Sequence, residues 1–207
     1  MSLSISLSEI KSRVMQCDNL IANTHLTNRN GAYLFSAIDR QQITVAAFLN
    51  LFIAWESFLE DTITKLMSGS QTISGRLPNR YVVPPNQDAA KALVLGCHRY
   101  FDYANFDNVK RIVLIYFEMG YPFEPHLSSI TNDLADLRTM RNASAHITTT
   151  TQKALEALAQ RVFSTPQPNI DLYTLLTTSR PTSLNGNTLF AESRDKLLVT
   201  AELIANG

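Results

Sequence analysis

Apolar residues return at three- and four-residue steps through most of the chain, the spacing of one face of an α-helix. Residues 6–23 open the series. Ser6 stands three residues before Glu9, a helix-start signature, and Ile10, Val14, Cys17 and Ile21 follow at helical spacing. A polar loop at 25–32 and a short helical turn at 33–38 lead to the longest pattern, 39–67, which contains no Pro or Gly and stops at Gly69. Phe48, Phe52, Trp55, Leu59 and Leu66 form one stripe of it; Leu49, Ile53, Glu56 and Glu60 form a neighbouring one. Such broad apolar coverage predicts a helix central to its bundle.

Residues 68–88 hold Gly69, Gly75, Pro78, Pro84 and Pro85, a density of breakers that predicts a long connection or an insertion. Helices are expected at 89–100 and 109–119, the second led in by Phe106 and Asp107 and ended by Gly120 and Pro122. Another is expected from Pro125 or His126 to about Ala145. The threonines Thr148, Thr149, Thr150 and Thr151 are poor helix formers and fit a break after His146. Residues 152–163 read as an amphipathic helix. Residues 164–187, with Pro166, Pro168, Pro181 and Asn185-Gly186, read as irregular, though 170–177 has the composition of a strand or a helical turn. Residues 189–204 close the chain as a helix. Almost every periodic segment has the helical period, so the predicted class is all-α, with four or five main helices, peripheral ones and two irregular insertions.

One stretch breaks its own pattern. Leu127, Ile130, Leu134 and Leu137 share a helix face, and at roughly 100° per residue that stripe continues onto Arg138, Arg141 and Ala145. A guanidinium does not lose its charge in a protein, so on a buried stripe it needs an anion or a fixed acceptor. Asn142 and His146 follow four residues apart on a face turning gradually away. Glu56, a carboxylate between Ile53 and Leu59, is either a flank residue reaching water or a partner for one of these arginines.

The totals narrow the classes. With 207 residues the chain fits one domain, its helical core at about 6–163 and a C-terminal extension at 164–207. Lys plus Arg and Asp plus Glu balance at 18 each, so any nucleic-acid contact is expected to be local rather than a broad basic face. Cys17 and Cys97 are the only cysteines, and no basic leader precedes a long apolar run. Two reduced thiols in a soluble cytoplasmic protein are therefore expected. The longest apolar run, 43–55, contains Asn50 and reads as too short to span a bilayer. There is no glycine-rich phosphate loop, no paired CxxC, and no two histidines at helical metal-ligand spacing, so no metal or cofactor is expected. No nucleophile elbow is present either.

What remains is Arg141-Asn142-Ala143-Ser144-Ala145-His146 at the end of an apolar helix. With the helical layout around it and the earlier helix bearing Trp55-Glu56, this hexapeptide resembles the HEPN superfamily, in particular the stand-alone RiboL-PSP-HEPN type of prokaryotic conflict systems. The resemblance implies a HEPN-like helical bundle, a homodimer whose arginine–histidine motifs meet at one cleft, and metal-independent endoribonuclease activity. It also implies a toxin or phage-defence role under the control of an antitoxin or other regulatory protein, with RNA as the substrate and neither DNA nor membrane as a partner. Carried onto this chain, Arg141 is the phosphate clamp, His146 the general base or acid, and Asn142 orients the imidazole or binds a phosphoryl oxygen. Arg138 and Glu56 are supporting candidates that rest on face arithmetic instead of the motif.

The chemistry is sound in itself. Imidazoles titrate near neutral pH and can take a proton from an RNA 2′-OH, while a guanidinium offers two parallel donors to a phosphate. Two other readings of the same residues remain open: structural arginines bonded to Asp133, Asp136 or Glu56 with His146 at a helix C-terminus, and a non-catalytic HEPN module that binds RNA, a nucleotide or a protein. On an ideal helix Arg141 and His146 stand about 140° apart, so they converge only if the helix ends between them or a second protomer supplies one. Arg76, Arg80, Lys110 and Arg111 are the other local cations suited to RNA.

Overall fold

The computed structural model describes residues 3–146, 148–181 and 186–207. Among these residues there are nine α-helices, one 3-10 turn and no strand, so the all-α class is what the chain adopts. Asn185, read above as a turn with Gly186, lies outside the described residues.

The chain forms two compact units, and four helices contribute residues to both. The first unit comprises Met1–Lys11, Ala54–Ala135 and Lys196–Gly207; the second comprises Ser12–Ile53 and Asp136–Asp195.

α1 (Ser4–Thr24) begins before Ser6, so the expected cap is a helix-interior residue. Ser6 is 2% exposed, and its hydroxyl donates to Asp61 Oδ2 at 2.6 Å. The Ser-x-x-Glu spacing is real, but burial of Leu3 carries the helix one turn further back. α2 (Ala37–Met67) starts two residues before Asp39. Its true start signal is Ser36-x-x-Asp39: Ser36 N and Oγ donate to Asp39 Oδ2 at 3.2 and 2.6 Å, and Asp39 N donates to Ser36 Oγ at 3.2 Å. That cap excludes the helical turn expected at 33–38, where Tyr33 instead pairs with Thr27 in an isolated bridge.

α2 buries Phe48, Leu51, Phe52, Trp55, Phe58, Leu59, Ile63 and Leu66, whereas Ile53 is 50% exposed. Its 31 residues make it long and apolar enough to cross a membrane by length and composition, which the 43–55 run alone had not suggested; half of the apolar window is buried within the protein.

In the first unit, α3 (Gln87–Leu95) stops at Gly96 (φ 58°), short of the Tyr100 end that the apolar spacing suggested. Asn86 caps its start, accepting from Ala89 N at 2.9 Å. α4 (Phe106–Tyr116) also ends early, because Phe117 leaves the helix to pair with Arg80. The rings of Phe117 and Phe123 pack 5.6 Å apart, and Trp55 stacks on Phe58 at 6.0 Å. Asp61 fastens three helices of this unit: besides Ser6 of α1 it accepts from Lys65 Nζ at 2.7 Å and from Gln87 Nε2 of α3 at 2.9 Å.

The helix expected from 125 to 145 is two helices, α5 (Phe123–Ser129) and α6 (Thr131–Ala145). Ile130 turns out of helical geometry (φ −117°, ψ 22°) between them. Side-chain hydroxyls take the carbonyls that a continuous helix would use: Ser129 Oγ donates to His126 O at 2.7 Å and Thr131 Oγ1 to Ser128 O at 2.9 Å.

In the second unit, α7 (Thr149–Phe163) begins within the threonine run instead of after it, with Thr148 as its cap. Leu155, Leu158 and Ala159 are its buried face. α8 (Leu172–Thr177) settles the 170–177 segment as helical; Asp171 caps it by accepting from Thr174 N at 2.8 Å. α9 (Leu189–Asn206) closes the chain.

Candidate active site

The C-terminal half of α6 belongs to the second unit and carries Arg138, Arg141 and Asn142, with His146 just past its end; Glu56, half buried on α2, belongs to the first. Leu134, Leu137 and Met140 are the buried apolar positions of α6, at 6, 2 and 1% exposure. Three-residue steps thus carry the apolar face onto Met140, and Arg138 and Arg141 flank it half buried instead of continuing it, while Ala145 is exposed. The face arithmetic that put two guanidiniums on the buried stripe was off by one position.

Arg141 Nη1 donates to Asn142 Oδ1 at 3.3 Å, so the cation and the amide of the motif are brought together. Ser144 Oγ returns to Arg141 O at 2.6 Å, tightening the last turn. Among the described residues no carboxylate pairs with Arg141. Two acids that a purely structural role would assign to the arginines are engaged by other cations: Asp133 by Lys196 Nζ at 2.5 Å, and the buried Asp136 by both terminal nitrogens of Arg161.

α6 ends at Ala145, as the threonine run implied, and His146 follows as an exposed residue whose N–H still donates to Asn142 O at 3.0 Å. Its carbonyl accepts from Thr151 Oγ1 at 2.5 Å. That hydroxyl also accepts from Thr148 N at 2.9 Å while Thr148 Oγ1 accepts from Thr151 N at 3.2 Å, a reciprocal capping box that starts α7. The position of His146 is therefore set by the first turn of the next helix. Thr151 is the residue the sequence reading missed; a Thr-x-x-Thr spacing at a helix start was its signal. No hydrogen bond or ion pair joins Arg141 to His146 among the described residues.

Ala143 and Ser144, the small residues of the motif, form one wall of a groove of about 730 Å³. Val45 and Leu49 of α2, Leu155 of α7 and Tyr173 of α8 line it further. Gln152 Nε2 holds its rim by donating to Ile170 O at 3.0 Å.

Of the other cations, Arg80 is spent on Met67 O at 2.9 Å, Lys110 on Glu124 at 3.0 Å, and Arg76 contacts the Tyr121 hydroxyl at 3.3 Å. Arg76 and Arg111 are the exposed members of that set without a carboxylate partner among the described residues. Among those residues, no three His, Cys, Asp or Glu side chains are grouped so as to hold a metal ion.

The fold and site thus define an all-α protein with a cation–amide pair and an exposed imidazole at one helix end. Compared with family models, with curated proteins and with solved structures, the chain finds no match in any of the three.

Proposed function

We propose that this chain is a metal-independent endoribonuclease of HEPN type, acting in the cytoplasm as a homodimer, with a role as a toxin or phage-defence effector. The observation that carries the reading is Arg141: a half-buried guanidinium tied, among the described residues, to the Asn142 amide and to no carboxylate, five residues before an exposed histidine. A cation so placed is suited to an anion from outside, and its two parallel donors match a phosphate.

In the proposed reaction the His146 imidazole takes the proton of an RNA 2′-OH. The 2′-oxygen attacks the adjacent phosphorus and the P–O5′ bond breaks. The products are a 2′,3′-cyclic phosphate and a 5′-hydroxyl, whose proton comes from an imidazolium. Arg141 stabilises the charge that grows on the phosphoryl oxygens, and the Asn142 amide holds the guanidinium in place. RNA supplies the nucleophile, so the step requires no protein nucleophile. Such an activity in its own cytoplasm calls for an antitoxin or another neutralising partner.

The test is cleavage of labelled single-stranded RNA and a tRNA pool in EDTA, wild type beside Arg141→Ala and His146→Ala. Fragments ending in 2′,3′-cyclic phosphate, absent with both variants at unchanged thermal stability, are the expected result. Stable variants that bind RNA less well, beside a wild type that binds but does not cut, would favour a non-catalytic RNA-binding module.

A further inference from the structure

A second pocket, of about 620 Å³, lies wholly within the first unit. Its walls are the end of α3, the connection at 96–102 and the Asn108–Ile112 stretch of α4. Its volume is in the range of small-molecule sites.

Two arginines line it, Arg99 from the connection and Arg111 from α4. Both are exposed, and no carboxylate pairs with either among the described residues. Asp102 is the one acid in the lining, and its Oδ1 accepts from Ala104 N at 3.1 Å, which turns the connection into α4.

The end of α3 would ordinarily present a negative dipole to an anion here. Its last carbonyls are instead occupied: Ala92 O accepts from Gly96 N at 2.9 Å, Leu93 O from the Tyr116 hydroxyl at 2.9 Å, and Leu95 O from His98 N at 3.1 Å.

Tyr100, 77% exposed, lines the same pocket. Its neighbour Phe101 is fixed, edge to face with Tyr103 at 4.7 Å. Guanidinium forks bind phosphate, and an exposed ring is a stacking platform for any base.

We propose that this pocket is a nucleotide site: Arg99 and Arg111 hold a phosphate and Tyr100 stacks on the attached base. The same phosphate-and-base chemistry is offered by a free nucleotide and by one residue of a single RNA strand. The site belongs to the first unit, while Arg141, Asn142 and His146 belong to the second, and it does not depend on the chain cutting RNA.

Cys97 provides the readout. It is exposed and lines the pocket, whereas Cys17 is 2% exposed with its thiol pushed up by burial, so a thiol reagent reports on Cys97 alone.

The experiment follows the rate of Cys97 alkylation in the full chain against AMP, adenosine, inorganic phosphate and a single-stranded 2′-O-methyl RNA pentamer, which lacks the nucleophile for cleavage. AMP is expected to slow alkylation at saturation, with adenosine acting only at about tenfold higher concentration. The exposed-residue double variant Arg99→Gln/Arg111→Gln loses the protection. Tyr100→Ala weakens AMP by about tenfold and leaves the phosphate response alone. His146→Ala keeps full protection, which separates this site from the proposed catalytic one. A pentamer that protects at far lower concentration than AMP identifies the strand as the source; equal concentrations identify the free nucleotide. An alkylation rate indifferent to AMP and the pentamer alike, or protection that survives in the double variant, overturns the proposal.

Discussion

At the scale of single residues, charge decides what each side chain can do here. Arg141 and Arg161 are both arginines of the second unit, yet Arg161 closes on the carboxylate of Asp136 while Arg141, among the described residues, meets only an amide. Arg141→Lys keeps the charge and removes the planar fork. If the guanidinium clamps a phosphate, RNA cleavage falls about 10²-fold with the unfolding midpoint unmoved; a lysine enzyme of full activity would remove the clamp from the mechanism. Asp61 offers a different test. Burial raises its pKa, but the bonds from Lys65, Ser6 and Gln87, with the Lys65 charge, outweigh it and leave the carboxyl below its ordinary 3.8. A folded-state value below the unfolded one means the stabilisation is complete above about 3.8 and is lost as pH falls through the lower folded value. Asp61→Asn should therefore be less stable at neutral pH by about 1–2 kcal/mol and should lose less stability than wild type below pH 3.8, as read from urea midpoints across pH. Parallel curves for the two proteins would show that Asp61 titrates alike folded and unfolded.

At the scale of helices, ends matter more than middles. The capping box of α7 uses Thr151 twice, once to start that helix and once to hold the carbonyl of His146. Thr151→Val preserves shape and removes the hydroxyl, so α7 should lose about 1 kcal/mol and cleavage should fall further than the folded fraction does, because His146 is released. Stability and cleavage falling in step would make Thr151 a cap and nothing more. The middles of α1, α2, α4 and α9 were legible in the chain because apolar spacing over several turns is a strong, redundant signal. The ends were not. Ser6 had the spacing of a cap yet faces Asp61, while the working caps Ser36 and Thr148 sit in segments read as a turn and as breakers. The break at Ile130 depends on two hydroxyls choosing carbonyls over water, a local competition that an apolar pattern does not register. For the site, residue types and the helix end were readable from the sequence. Which acid pairs with which cation was not, because Asp133 and Asp136 find Lys196 and Arg161, residues remote in the chain whose approach only the fold determines.

At the scale of the whole molecule, the proposal is that the site draws on two copies of the chain. Arg141 and His146 are five residues apart, α6 ends between them, and no bond joins them among the described residues. Under that proposal the two groups that a phosphoryl transfer needs on one RNA bond come from two copies. The chain should then sediment at twice 23.1 kDa at micromolar concentration, and cleavage per chain should fall on dilution together with the dimer mass. Mixing variants carries the argument further. A protomer with Arg141→Ala still has its histidine, and one with His146→Ala still has its arginine. In a dimer whose sites each take an arginine from one copy and a histidine from the other, the mixed pair rebuilds one intact site of its two. Random exchange makes half of the dimers mixed, so two inactive proteins combined should recover about a quarter of the wild-type rate. Sites complete within one chain would recover nothing, and a fully active monomer of 23.1 kDa would keep the ribonuclease while removing the dimer from it.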